Sequence, residues 1–265
     1  MNDLNPYLPI RKVPLEFQGI SSSAFSVQMN TEKKGWDEVG VVSNKYLLIP
    51  NEEVKQLADD IVQESTLEWE PLRTFFDGKR YFHSLQCKSF QQEVAKDDPV
   101  GIGVGFWNSY DGSAALSFKL FVIRLACTNG MLSNDYFQSF RFKHDSSSEG
   151  YESQLMQAVN IINNCGDKAE EVISKMAQLA KYNIDSTSDI KEIRDSIPKI
   201  PTSLWGKMMD RYLDKYYNTS DDATRMDTHW GFLNAATDIL WHSDKATVSS
   251  FNHNQYVTDA LLRNV

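Results

Sequence analysis

The sequence predicts an α+β fold: an antiparallel sheet built from hairpins, flanked by helices, with a helical C-terminal half. Two observations carry this. Between residues 39 and 144, β-branched and aromatic runs are separated by Asp77-Gly78 and Asp111-Gly112, a dipeptide that favours tight hairpin turns. From Leu155 the apolar positions change spacing, to Leu155, Val159, Ile162, Gly166, Ala169, Ile173, Met176 and Ala180, a 4-3-4-3 repeat that lays one stripe along a helix. Runs of strands followed by runs of helices pack as a sheet covered by helices.

The elements follow in order. Residues 1–35 are rich in Pro, Ser and Asn around SSSAFSV, which predicts an arm with one short strand. VGVVSNKYLLI (39–49) is β-branched and apolar, a strand ended by Pro50. Asn51 is the expected cap of a helix, NEEVKQLADDIVQES, with Glu52 and Glu53 where the helix dipole favours acid. Val54, Leu57, Ile61 and Val62 mark its buried face. The run from 67 to 87 reads as a hairpin turning on Asp77-Gly78 in a type I′ turn. A second hairpin runs VGIGVGFWNSY, Asp111-Gly112, SAALSFKLFVIRLAC, and FQSFRFKH (137–144) alternates as a further strand. The long helix is expected to kink at Gly166. Shorter helices are expected at 188–196, ended by Pro198, and at 203–217, 227–242 and 252–263. The expected organisation is an arm (1–37), an α+β core (38–183) and a C-terminal helical region packed on it (184–265).

Composition narrows the function classes. The 265 residues are 41% hydrophobic and 24% charged, as in ordinary soluble domains. No apolar run reaches the roughly 18 residues that span a bilayer, so no membrane partner is expected. MNDLNPYLPIRKVPLEF lacks an apolar core, so a secretory signal is not expected. Three scattered cysteines make a disulfide framework unexpected and a cytoplasmic location the natural one. A net charge of −9 argues against a protein that coats nucleic acid by bulk charge, but does not exclude a local basic groove.

Several motifs have ordinary readings. Gly101, Gly103 and Gly105 precede strand residues, so they read as room for close packing rather than as a dinucleotide fingerprint. Cys127 lies in an apolar context that favours a small buried thiol, although His144 would supply a base if the next strand paired back. The five histidines show no metal-ligand spacing, and no phosphate loop or nucleophile elbow is present. No cofactor, metal site or nucleotide hydrolysis is expected.

The informative feature is where the positive charge falls. Arg73, Lys79, Arg80, Lys119, Arg124, Arg141 and Lys143 lie on expected strands, whereas acidic pairs fall on helices and loops. Cations that track phosphates beside aromatic faces are what single-strand binding needs. The same alternation arises on the solvated face of any half-buried sheet. Arg73, Lys79, Arg80, Arg124, Arg141 and Lys143 are the phosphate candidates; Tyr81 and Trp107 are the stacking candidates.

VGVVSNKYLLIPNEE, DGKRYF, the N-S-Y-D-G turn, IRLACTNGM and the FKHD end together resemble the phage/plasmid-like proteins of the family known as domain of unknown function 932. Ser43, Tyr46, Asn51, Ser109, Asp111, Gly112, Arg124, Cys127, Asn129 and His144 fall on that family's pattern. Lys143 and Asp145 depart from its Arg and Thr. The resemblance implies a phage-encoded protein acting in the host cytoplasm, with no settled activity. The element order is also similar to the core of phage single-strand annealing recombinases. The expectation is a homo-oligomeric single-stranded DNA-binding or annealing protein that hydrolyses no nucleotide. The alternative is a phage protein that binds a host protein through its acidic surface.

Overall fold

The structure, a computed structural model, describes residues 4–31, 35–133, 135–137, 139–141, 148–197, 199–218, 227–242 and 248–265. The chain begins with a small sheet rather than an arm with one strand. Strands β1 (Ile10–Phe17), β2 (Ile20–Thr31) and β3 (Gly35–Ser43) form an antiparallel meander. Gln18 (φ 51°) and Gly19 (φ 77°) both take the left-handed conformation that a type I′ turn requires. One face of the meander packs Val27, Met29, Val39 and Val42 around the Tyr110 ring.

β3 ends at Ser43, short of the expected Ile49. Helix α1 (Asn51–Glu64) follows, with Pro50 rather than Asn51 at the cap position and no side-chain cap. Asn51 is buried instead: its Nδ2 donates to the Pro6 carbonyl and its Oδ1 accepts from Asn108 Nδ2, both at 3.0 Å.

The second sheet runs in the order β4 (Trp69–Phe76), β5 (Arg80–Ala95), β6 (Asp98–Ser109), β7 (Ser117–Arg124), β8 (Asn129–Leu132). β9 (Ser139–Arg141) shares the outer edge of β7 with β8. Every pairing is antiparallel. The first hairpin turns one residue later than expected. Asp77 N donates to the Arg80 carbonyl, the Asp77 carboxylate accepts from Lys79 and Arg80 N–H, and only Gly78 is left-handed (φ 93°). The second hairpin closes through a longer loop, 110–116. β9 is shorter than the expected 137–144, and residues 142–147 lie outside the described residues.

The expected long helix is two: α2 (Ser148–Asn163) and α3 (Cys165–Leu179), interrupted at Asn164, two residues before Gly166. Then come α4 (Thr187–Ser196), α5 (Thr202–Asn218), α6 (His229–Trp241) and α7 (Val248–Leu262). One sheet face, carrying Tyr81, Leu85, Ile102, Phe106, Leu120 and Val122, joins α1, α3, α6 and α7 in the main core. The opposite face packs Phe82, Trp107, Phe121 and Ile123 against Trp241 of α6 and Phe251 of α7. The β6 glycines belong to that face. A Cβ on Gly103 would lie 2.3 Å from the Phe121 ring, and one on Gly105 would lie 2.6 Å from Phe82. Among the described residues no helix is long and apolar enough to cross a membrane.

Candidate functional site

The sequence candidates separate into three places. The first is the end of β7. Arg124 Nε donates to Asp98 Oδ1 at 2.6 Å, Trp230 Nε1 donates to Asp98 Oδ2 at 2.8 Å, and the carboxylate is fully buried. An arginine so held cannot reach a phosphate without abandoning a buried charge. Arg124 Nη1 also lies 3.7 Å from the Cys127 sulfur. His242 Nε2 lies 3.0 Å from the Cys127 carbonyl and 2.8 Å from Asn129 Oδ1. Both are acceptors, so Nε2 carries the hydrogen. Asn129 Nδ2 in turn donates to the Asn234 carbonyl. The Arg124–Asn129 segment thus ties the strand end to α6. His144, the expected base for Cys127, lies outside the described residues, as does Lys143.

The second place is the corner where the two sheets meet. Tyr46 Oη donates to the Ser109 carbonyl, and burial raises the pKa of its phenol. Ser109 Oγ donates to the Ala114 carbonyl (2.8 Å) and accepts from Ala114 N (3.0 Å). Gly112 is left-handed (φ 74°). Burial alone would raise the Asp111 pKa. Hydrogen bonds from Ser113, with Arg80 and Lys79 nearby, outweigh it and hold the carboxyl below its ordinary range. Arg80 Nε donates to Ser113 Oγ at 3.0 Å, and Arg80 Nη2 stands 3.8 Å from Asp111. Arg80 and the Ser109–Asp111–Gly112 motif therefore brace one loop. Lys79 is exposed beside it. Tyr81 is 1% exposed with its hydroxyl on Tyr7, which leaves no face for a base. Arg73 Nη1 donates to the Trp241 carbonyl.

The third place is a groove of about 480 Å³ on the less covered sheet face, lined by Trp107, Ser117, Lys119, Arg141, Asn252 and Gln255 among others. Strand register builds it. Trp107, Ser117 and Arg141 are successive partners across β6, β7 and β9, and Gly105, Lys119 and Ser139 form the next row. Trp107 is 8% exposed, its ring held 4.8 Å from Phe82 and 5.4 Å from Phe251, so it offers a wall rather than an open stacking face. Among the described residues no carboxylate lines the groove. Burial and the neighbouring Arg141 lower the Lys119 pKa; the nearby Asp259 opposes them. Asp259 receives the Ser133 hydroxyl at 2.5 Å. Of the sequence candidates, the groove brings together Trp107, Arg141 and, from the 110–116 loop, Gly112. Lys119 was recognisable as a strand cation. Asn252 and Gln255 gave no signal, because only the return of α7 brings them to the sheet. Among the described residues no cluster of His, Cys, Asp and Glu could hold a metal ion.

Comparison with known proteins places the chain in a family. A family model described as Domain of unknown function (DUF932) covers residues 38–262, from β3 to the end of α7. No curated protein and no solved structure matches the chain.

Proposed function

The chain belongs to the domain of unknown function 932 family, and from that premise we propose that it is a single-stranded DNA-binding protein of the annealing type. One observation carries the reading: in a chain of net charge −9, Lys119 and Arg141 face one groove with no carboxylate in its described lining. Cations set side by side on adjacent strands suit successive backbone phosphates. The Ser117 and Ser139 hydroxyls and the exposed Asn252 amide add hydrogen-bond partners for phosphate and sugar. A strand held by its backbone keeps its base edges free to pair, which is what annealing needs, and that step consumes no nucleotide.

The test is fluorescence anisotropy with labelled single- and double-stranded oligonucleotides across a salt series. Wild type should bind the single strand more tightly, with affinity falling as salt rises. The Lys119→Glu/Arg141→Glu variant should bind far more weakly. Its salt dependence should be shallower by about 1.4 in log–log slope, about 0.7 per lost phosphate contact. Equal binding by the variant would overturn the assignment. A protein partner is the second reading, favoured by Trp36 (38% exposed) and Val41 (50% exposed) on the outer side of the small sheet. Absence of oligonucleotide binding even at low salt would move the weight to it.

A further inference from the structure

A second cavity, of about 400 Å³, lies directly across the 110–116 loop from the groove. It is lined by Lys45, Tyr46, Leu47, Ile49, Asn108 and Leu116, and both cavities have Ala114 and Ala115 in their walls. The loop is therefore a ridge between them, and the wall they share carries only two methyl side chains. It is also firmly held, by the reciprocal Ser109–Ala114 hydrogen bonds, the Asp111 carboxylate on Ser113 N (2.9 Å), and Arg80 on Ser113 Oγ. Like the groove, the second cavity has no carboxylate in its described lining. Lys45 brings a cation to its rim, and Leu47, 50% exposed, brings an apolar surface.

We propose that a single nucleic-acid strand crosses this ridge and occupies both cavities. One phosphate sits between Lys119 and Arg141, and a neighbouring nucleotide places its phosphate at Lys45 and its base against Leu47. The inference rests on the single-strand reading above and adds its extent and a second anchoring point. The wall that the two cavities share and their common charge character argue for one occupant. The occupant is a single strand because crossing a ridge within one or two nucleotides demands a sharp bend. A duplex, stiff over about 150 base pairs, resists such a bend.

The test compares wild type, Lys45→Glu, Leu47→Ser and Arg141→Glu on a dinucleotide and on a longer oligothymidylate. Both Lys45 and Leu47 are exposed, so their variants should retain the wild-type circular dichroism spectrum and melting profile. Lys45→Glu should weaken the longer strand several-fold and make its salt slope shallower by about 0.7, while leaving the dinucleotide unaffected. Leu47→Ser should weaken the longer strand without changing its slope. Arg141→Glu should weaken both ligands. If Arg141→Glu loses binding while Lys45→Glu and Leu47→Ser bind like wild type, the strand ends at the ridge and this inference falls alone. If Arg141→Glu also binds like wild type, the single-strand reading falls with it.

Discussion

Asp98 shows how one residue can be fixed by partners far away in sequence. Its two oxygens take Arg124 and Trp230, 26 and 132 residues distant, and the carboxylate has no exposure. Burial would lower the Arg124 pKa, but the Asp98 hydrogen bond and charge outweigh it and keep the guanidinium charged. Removing one member of such a pair strands the other. Asp98→Ala should cost about 3–5 kcal/mol, read as a lower urea midpoint. Trp230→Phe keeps the ion pair and loses one hydrogen bond to a charged group, so about 1.5–3 kcal/mol is expected. Equal losses in the two variants would mean that Arg124 finds another partner. Arg124 looked like a phosphate ligand because local alternation places a cation on a strand. Nothing near it in sequence announces the carboxylate or the indole, so its pairing was not legible there.

At the scale of elements, legibility followed local physics. The hairpins of the large sheet were readable because period-2 alternation and Asp-Gly turns are encoded within a few residues. The β1–β2 hairpin was not, because Gln18-Gly19 adopts a turn usually written Asn-Gly or Asp-Gly. The spacing of apolar residues revealed α2 and α3 as one stripe, but it is blind to the interruption at Asn164. The glycines separate these influences experimentally. Gly103 is small because the Phe121 ring lies against it, so Gly103→Ala should overpack the sheet and cost about 1–3 kcal/mol. Gly166, in the first turn of α3, has nothing within 4 Å of where a Cβ would stand. Its φ is not positive, so Gly166→Ala should gain about 0.4–1 kcal/mol by restricting the unfolded chain. Urea melts of both variants check the pair, and a destabilised Gly166→Ala would show that the break after α2 needs glycine. The groove was only half legible: its strands supply Trp107, Lys119 and Arg141 locally, whereas its α7 wall arrives through tertiary packing alone.

At the scale of the whole molecule, the cysteines report how the chain opens. Cys87 on β5 and Cys165 at the start of α3 are buried in the main core that also holds α1, α6 and α7, whereas Cys127 sits half-buried on the turn after β7. Burial raises the Cys87 pKa and pushes Cys165 up to about 12, so neither offers thiolate near neutral pH while the core is closed. A maleimide should therefore modify the native chain at Cys127 first, and at the other two only through opening of the core. In urea all three should react. Because both buried thiols lie in one hydrophobic cluster, their slow modification should proceed at a common rate. A single strand that binds only the folded state should slow that rate, by about a hundredfold at a free concentration of 100 times Kd, and leave Cys127 modification unchanged. Mass spectrometry after timed labelling separates the outcomes. Protection of Cys87 and Cys165 together shows that the ligand stabilises the fold as a unit. Protection of Cys127 instead would place the ligand at the Arg124–Asn129 turn, away from the Lys119–Arg141 groove, and would move the site to the other end of β7.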